Sequence, residues 1–225
     1  CDNCTFCRQG HTNHCIDMKF YGSAMLFPHI QGAFRQEMVV NTSQCVLSND
    51  ITSAQAAMVE PLSVVLHALK RVGQIFSKNF LVCGAGPIGL LTVQCLKASG
   101  ASNIVVTDIV DEPLKLAEKL GASETFNVRT GKDIFKKYSG NKGWFDTMFE
   151  CSGSESALME AVSAIKPRGL VVQLGMSGNM KIPMQFITTK EIKLLGSFRF
   201  HDEFFEGVQC ISSGAIDVQP LISHA

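Results

Sequence analysis

The sequence lacks several features that mark whole classes of protein. It has no excess of charge, because 20 Lys and Arg balance 20 Asp and Glu. Nucleic acids and anionic membranes are bound through a basic surface, so a net charge of zero argues against both as the main partner. The longest apolar stretch, Phe80 to Val93, has 14 residues with three glycines and a proline. It is too short and too interrupted to span a bilayer.

The composition also excludes intrinsic disorder and argues against a disulfide framework. Hydrophobic residues make up 46% of the chain and charged residues 18%, enough to build a packed core. A disulfide framework spreads paired cysteines along a small secreted chain. Here four of the nine cysteines fall within the first fifteen residues, and the other five stand singly on apolar segments. This pattern favours a reducing compartment, hence a cytoplasmic location, and a metal site.

The clustered cysteines have the spacing of a metal site. Cys1, Cys4, Cys7 and Cys15 form C-x2-C-x2-C-x7-C, in which two-residue gaps let neighbouring thiolates converge on one tetrahedral zinc ion. Four sulfurs close the coordination shell, so the predicted role is structural. An iron–sulfur ligand set is the alternative, although Ile16 follows the last cysteine where a ferredoxin-type run has proline. Buried or disulfide-bonded cysteines are the third interpretation.

Strand and helix patterns alternate from about residue 78 onward. Short apolar strands are predicted to begin at Asn79, Asn103, Thr125, Phe145, Leu170 and Ile192. Helices are predicted over Pro87–Ser99, Glu112–Leu120 and Glu155–Ile165. This alternation predicts an α/β fold with a doubly wound parallel Rossmann sheet. Residues 16 to about 60 show turn residues between short apolar runs, which predicts irregular β structure, and a helix over Glu60–Val72 joins the two parts.

A glycine-rich turn follows the first predicted strand. Gly84, Gly86 and Gly89 give G-x-G-x-x-G between a strand and a helix, the context that dinucleotide binding requires. The first glycine permits the turn, the second lets the backbone approach a pyrophosphate, and the third lets helix and strand pack closely. Asp108 ends the next strand, where a carboxylate accepts ribose hydroxyls and repels a 2′-phosphate. No Lys or Arg follows it until Lys115, so NAD is predicted over NADP.

These motifs together resemble the zinc-containing medium-chain dehydrogenases, and within them the polyol (sorbitol) branch. The resemblance runs over essentially the whole chain. The segments that carry it, besides the four cysteines, are Val59–Val64, Gly84–Gly89, Thr107–Asp108, Glu150–Gly153 and Gly196–Phe200. The resemblance implies three parts: a partial GroES-like β catalytic domain over 1–60 with a zinc lobe at 1–15, a linking helix over 61–77, and an NAD-binding Rossmann domain over 78–225. It also implies a fragment that lacks N- and C-terminal parts of the family and is inactive alone.

A narrower set of segments resembles members of the branch that oxidise the sugar acid L-idonate at its C5 hydroxyl. These segments are Phe20–Met25, Phe27–His29, Gln31–Gly32, Thr42–Cys45 and Gly196–Phe200. The resemblance implies NAD as cofactor, a structural zinc, and a catalytic zinc whose ligands lie mostly outside this chain. Sorbitol, xylitol and threonine are the alternative substrates within the family. A different kind of function is also an alternative: a non-enzymatic module that binds NAD and zinc.

The resemblance also implies roles for individual residues. Glu60 corresponds to a carboxylate beside the catalytic zinc, and Arg199 to a group that reaches cofactor and substrate together. The implied cofactor contacts are Gly84, Gly86, Ile88, Gly89, Asp108, Leu174, Gly175, Met176, Ser197, Phe198 and Arg199, and the implied metal ligands are Cys1, Cys4, Cys7, Cys15 and Glu60. Cys151, at a strand end, is read as a small buried hydrophobe and not as a nucleophile.

Two departures from sorbitol dehydrogenase affect these expectations. Pro113 replaces an Arg near the adenosine ribose, and Phe200 replaces a Tyr that contacts the polyol. Family members associate as dimers or tetramers through edge strands of the cofactor domain. The strands around Gln173 and Ile192 are predicted to be those edges.

Overall fold

The computed structural model describes residues 1–23, 26–131 and 134–223, and its centre is a six-stranded parallel sheet. The strands are β1 (Asn79–Cys83), β2 (Asn103–Asp108), β3 (Glu124–Asn127), β4 (Phe145–Glu150), β5 (Ile165–Gln173) and β6 (Lys193–Gly196). Their order across the sheet is β3-β2-β1-β4-β5-β6. This is the doubly wound order, with its switch point between β1 and β4. The predicted α/β Rossmann fold is therefore confirmed.

Helices connect the strands and cover both faces of the sheet. In the described residues they are α1 (Thr5–Arg8), α2 (Ser53–Ala57), α3 (Val59–Val72), α4 (Pro87–Ala98), α5 (Asp111–Leu120), α6 (Ile134–Ser139), α7 (Glu155–Ala161), α8 (Met184–Thr189) and α9 (Glu203–Ser212). α3 ends at Gly73, whose φ of +80° suits glycine. None of these helices has the length and apolar character needed to cross a membrane.

The core lies on the two faces of the sheet, because side chains alternate along each strand. In β1, Phe80 and Val82 face the layer formed by α3, α4, α5 and α9, and Leu81 and Cys83 face the layer of α6 and α7. All four side chains are fully buried. Strands that are buried on both faces have continuous apolar sequences, which explains why they could be predicted from the sequence.

The prediction of irregular β structure before the sheet is wrong for the described residues. Residues 1–23 and 26–60 contain only short helices and turns, and Glu37–Val40 forms no strand. A strand forms only where a neighbour supplies a hydrogen-bonded ladder. The six strands described here pair only with one another. The assignment of 1–60 to a GroES-like domain, with 61–77 and 78–225 as the other parts, stays a prediction.

Two further predictions need correction. The strand that ends at Gln173 is not an edge, because β5 pairs with β4 on one side and β6 on the other. The edges are β3 and β6, and only the segment after Ile192 was placed correctly. The helix predicted over Glu155–Ile165 ends at Ala161, and Ile165 already belongs to β5, where it pairs with Phe145. The apolar residues at the end of this predicted helix fit the spacing of a helix as well as that of a strand, so pairing with β4 decides that Ile165 is in a strand.

Candidate functional site

The four clustered cysteines come together as predicted. The sulfurs of Cys1, Cys4, Cys7 and Cys15 all lie within 4.8 Å of one another, and those of Cys1 and Cys15 are 3.3 Å apart. A tetrahedral zinc ion with Zn–S bonds of about 2.3 Å holds its sulfurs about 3.8 Å apart, so the four thiols fit the ion. Backbone N–H groups of Cys7 and Ile16 lower the pKa of the Cys4 thiol to about 6, which favours the thiolate that binds metal.

The zinc lobe is fixed to the loop that follows β6. Buried Asn13 donates a hydrogen bond from Nδ2 to the carbonyl of Phe198 at 2.9 Å. The His14 ring stacks on the Phe198 ring with centroids 5.9 Å apart. A cavity of about 330 Å³ separates the lobe from residues Phe20, Leu26 and Ile30. The zinc lobe therefore contacts Phe198, which lies in one of the segments that carry the narrower resemblance, Gly196–Phe200.

The glycine-rich turn is closely packed at Gly84 and Gly89 and open at Gly86. Gly84 has φ +95°, and a Cβ there would lie 2.9 Å from the backbone nitrogen of Ser152. A Cβ on Gly89 would lie 1.9 Å from the Gly84 carbonyl oxygen, so only glycine lets α4 start so close to β1. A Cβ on Gly86 would meet nothing within 4 Å. The backbone at Gly86 and half-buried Ile88 thus borders open space at the start of α4.

Asp108 has a role that the sequence did not indicate. Its Oδ2 accepts a hydrogen bond from the Ala85 N–H at 2.6 Å, and its Oδ1 accepts from Ile109 and Val110 at 2.7 and 2.9 Å. The carboxylate therefore fixes the glycine-rich turn to the end of β2. Each carboxylate oxygen can accept more than one hydrogen bond, so capacity remains for ribose hydroxyls.

Five of the predicted cofactor residues line one cleft at the carboxyl ends of β5 and β6. The cleft has a volume of about 330 Å³, and it is lined by Gln173, Leu174, Gly175, Met176, Gly196, Ser197 and Phe198, with His14, His67 and Arg71 opposite. Ligands of doubly wound sheets bind outside the carboxyl ends of the strands. Arg199 does not line this cleft, and Gly84, Gly86, Gly89 and Asp108 meet separately at the glycine-rich turn.

Sequence reasoning assigned no role to a buried carboxylate beside the cleft. Glu150, at the end of β4, is 0% exposed and accepts hydrogen bonds from the N–H groups of Ser152 and Gly153, both at 2.9 Å, and from the Ser152 hydroxyl. Gln173 Nε2 donates to the same carboxylate at 2.6 Å. One feature of the sequence could have indicated this pair. Two neighbouring apolar strands, β4 and β5, each end in a polar residue, Glu150 and Gln173. Cys151, next in the chain, packs on the core, and burial raises the pKa of its thiol, as expected for an inert cysteine.

Arg199 lies between two aromatic rings and within the electrostatic influence of Glu60. The Arg199 guanidinium carbon is 3.2 Å from the centroid of the Phe20 ring and 5.1 Å from that of Phe198. Burial lowers the pKa of Arg199, and the carboxylate of Glu60 opposes that change. The backbone of Arg199 has φ +54°, which is strained for a residue with a Cβ. Glu60 itself is exposed, although it precedes Pro61 among apolar residues of the chain.

A second buried carboxylate joins α3 to α9. Glu203 is 1% exposed; its Oε1 lies 3.3 Å from His67 Nδ1 and 3.2 Å from Lys70 Nζ, and its Oε2 accepts from the His201 N–H at 3.0 Å. Burial raises the pKa of Glu203, but these hydrogen bonds outweigh it and hold the pKa near 2. His67, His201 and Glu203 have the donor types of a metal site. The Lys70 ammonium already balances the carboxylate, which argues against a cation there.

Comparison with known proteins agrees with this geometry. A family model for zinc-binding dehydrogenases matches residues 87–213, more than half of the chain. L-idonate 5-dehydrogenase (NAD(P)(+)) of Escherichia coli is 39% identical over 225 residues, which covers 99% of this chain and 65% of the relative. A sorbitol dehydrogenase of Arabidopsis thaliana is 32% identical, covering 100% of this chain and 62% of the relative. The crystal structure of L-idonate 5-dehydrogenase from Escherichia coli gives a TM-score of 0.94 at 38% identity, covering 98% of this chain and 64% of that one.

The chain spans slightly less than two thirds of the length of these relatives. The matches nevertheless cover 98–100% of this chain. The strand order, the glycine-rich turn and the family model all lead to one assignment. The chain belongs to the zinc-binding dehydrogenase family.

Proposed function

We propose that this protein is a zinc-dependent oxidoreductase that oxidises the C5 hydroxyl of L-idonate to 5-keto-D-gluconate and transfers the hydride to NAD. The observation that carries the proposal is the cleft at the ends of β5 and β6, in a sheet that also carries a glycine-rich turn at its switch point. The 39% identity to a bacterial L-idonate 5-dehydrogenase supports the choice of substrate.

The residues present fit a dinucleotide. The open side of Gly86 leaves room for a pyrophosphate at the start of α4, where the free N–H groups and the helix dipole favour negative charge. Asp108 would accept the ribose hydroxyls and repel a 2′-phosphate, so NAD is proposed over NADP. Ile88, Leu174, Gly175 and Met176 would hold the nicotinamide side.

The substrate would lie between the segment that begins at Phe20 and the residues that follow β6. When bound, the nicotinamide takes up the hydride and a catalytic zinc lowers the pKa of the reacting hydroxyl. Arg199, held over the Phe20 ring, would donate hydrogen bonds to the substrate's hydroxyl or carboxylate oxygens. Exposed Glu60, near Arg199, would accept the proton that leaves the hydroxyl. Ser197 and Phe198 would contact the cofactor beside them.

The four thiolates would hold a structural zinc, and their closed set of sulfurs leaves no place for substrate. That ion would keep the lobe rigid, so that Asn13 can hold the Phe198 carbonyl beside the cleft. We further propose a cytoplasmic homo-oligomer, a dimer or tetramer. The edge strand β6, with half-exposed Leu194, offers the backbone groups for such an interface.

The test measures initial rates of nicotinamide reduction by the full-length protein with L-idonate, D-sorbitol and L-threonine, each with NAD and with NADP. We expect turnover on L-idonate, with NAD preferred. Preference for NADP would remove the role given to Asp108. Turnover on sorbitol instead would retain the cofactor and zinc sites and reject L-idonate. Binding of NADH without turnover of any of these substrates would favour a binding module over an enzyme.

A further inference from the structure

The chain that follows β6 passes from the sheet to the zinc lobe within two residues. The Ser197 N–H donates to the Gln173 carbonyl at 2.9 Å, which continues the pairing of β6 with β5 by one residue. The next carbonyl, that of Phe198, accepts a hydrogen bond from Asn13 Nδ2 at 2.9 Å. Ser197 is therefore held by the sheet, whereas Phe198 is held by a side chain that comes 185 residues earlier in the chain.

Asn13 is suited to hold that carbonyl in one direction. The residue is 6% exposed, and its NH₂ group faces the carbonyl, since the opposite amide orientation would set two acceptor oxygens against each other. The ring of the next residue, His14, stacks on the Phe198 ring with centroids 5.9 Å apart. Two adjacent residues of the lobe thus hold both the carbonyl and the side chain of Phe198.

The direction of the Phe198 carbonyl bears on the backbone of Arg199. That carbonyl belongs to the peptide unit between the two residues, and because the unit is planar, its orientation sets the plane from which φ of Arg199 is measured. Arg199 has φ +54°, a region that a residue with a Cβ occupies only where its surroundings enforce it. The hydrogen bond from Asn13 is therefore one of the contacts that maintain a strained backbone.

The strained backbone in turn sets the direction of the Arg199 side chain. The guanidinium carbon lies 3.2 Å from the centroid of the Phe20 ring. Rotation of the peptide unit toward a negative φ would turn the Cα–Cβ bond of Arg199 and take the guanidinium away from that ring. The cavity of about 330 Å³ that Asn13, Phe20 and Phe198 line leaves room for this relaxation. Packing alone therefore does not hold the arginine in place.

We propose that Asn13 is a positioning residue for the substrate. By fixing the Phe198 carbonyl, it holds Arg199 in the strained conformation from which the guanidinium reaches the oxygens of the substrate. The inference rests on the proposed function, which gives Arg199 its contact with the substrate. Because Ser197 is held by the sheet, loss of the Asn13 side chain weakens the binding of substrate more than the binding of cofactor.

The test compares Asn13→Ala, Arg199→Ala and the double variant in the full-length, zinc-loaded protein. In Asn13→Ala, we expect KM for L-idonate to rise about 10-fold, kcat to change less than about 3-fold and the NADH dissociation constant less than about 2-fold. In the Arg199→Ala background, the same substitution should change KM less than about 2-fold, because Asn13 acts through Arg199. A merely structural role would give the same factor in both backgrounds.

Asn49→Ala, at an exposed position outside the zinc lobe, is the matched control and should leave KM unchanged. Zinc analysis shows whether each variant keeps the structural ion, and Asn13→Ser replaces Asn13→Ala if the ion is lost. Amide hydrogens of residues 197–201 should exchange faster in Asn13→Ala than in the parent protein. Where Arg199→Ala turns over too slowly, the dissociation constant of L-idonate from the NADH-bound protein replaces KM.

An unchanged KM in Asn13→Ala, or an equal rise in both backgrounds, would overturn the inference while the proposed function stands. A parallel loss of NADH affinity would also overturn it, because the substitution would then disturb the whole cleft. Failure of the parent protein to turn over L-idonate would overturn the proposed function, and this inference with it.

Discussion

The N-terminal region (residues 1–23 and 26–58) and the sheet domain (79–131 and 134–223) bury their large apolar side chains to different extents. The sheet domain buries its large side chains completely, including Phe80, Phe145 and Phe149. The N-terminal region leaves many of its large apolar side chains in contact with solvent: Ile16, Phe27, Phe34, Val39 and Leu47. It is joined to the sheet domain by the hydrogen bond of Asn13 to Phe198 and by Val46, Ile51 and Met58, which pack on the core. Hydrophobic burial in the described residues is therefore much more complete in the sheet domain than in the N-terminal region.

The largest expected effect tests that contrast directly. Phe149→Ala removes a fully buried ring that lies 6.2 Å from the Phe80 ring, and we expect the free energy of unfolding to fall by about 3–5 kcal/mol. Phe34→Ala removes a fully exposed ring from the N-terminal region and should change the free energy of unfolding by less than about 0.5 kcal/mol. Chemical denaturation followed by circular dichroism compares the two. Similar losses in both variants would show that the N-terminal region has a core of its own.

A smaller effect is expected at the carboxylate between α3 and α9. Glu203→Gln should destabilise the protein at neutral pH by about 1–3 kcal/mol, because it removes the charge that pairs with His67 and Lys70. The folded-state pKa is depressed to about 2, so the stabilisation is complete above the unfolded value of about 4.3. It is lost as the pH falls from there through 2.

Unfolding of the parent and the variant across that pH range measures this effect, and the two curves should converge at low pH. Glu206→Gln is the control, because Glu206 pairs with the same Lys70 from a half-exposed position and should cost less than about 1 kcal/mol. A constant difference between parent and Glu203→Gln at every pH would assign the effect to packing and not to charge.

Loss of a thiol should affect the zinc lobe and leave the sheet domain intact. Cys4→Ser removes one of the four ligands, so we expect the structural zinc to be lost and residues 1–15 to exchange amide hydrogens faster. The unfolding midpoint of the sheet domain should change little. Zinc analysis and hydrogen exchange by mass spectrometry measure both. Cys45 is an exposed cysteine outside the cluster, so the Cys45→Ser variant should retain the zinc. Loss of zinc from the Cys45→Ser variant would refute the assigned ligand set.

The smallest expected effect on stability lies within the sheet domain itself. Gly86→Ala should change the unfolding free energy by less than about 0.5 kcal/mol, because its Cβ meets nothing within 4 Å. It should weaken NADH binding about 10-fold, since the methyl occupies the space through which a phosphate approaches. Gly89→Ala is the contrasting variant, because its Cβ would collide with the Gly84 carbonyl and destabilise the fold. Unchanged NADH affinity in Gly86→Ala would place the pyrophosphate elsewhere.

The sequence predicted most of the sheet domain because its strands are buried on both faces and its turn chemistry is local. The strand Asn79–Cys83 and the glycine-rich turn after it were located from residue pattern alone. The same reasoning failed in the described part of residues 16–60, where β structure was predicted. Alternation of apolar and polar residues signals a strand only if a neighbouring strand pairs with it, and pairing is a long-range property.

Sequence alone thus determined the α/β class, the clustering of the four cysteines and the place of the glycine-rich turn, since each depends on residues close together in the chain. Only the tertiary structure decided that β5 is interior, that Glu150 accepts a hydrogen bond from Gln173, and that Arg199 lies over Phe20. Each of these contacts joins residues far apart in sequence. No local preference encodes such a contact, because packing of the sheet and its loops brings the partners together.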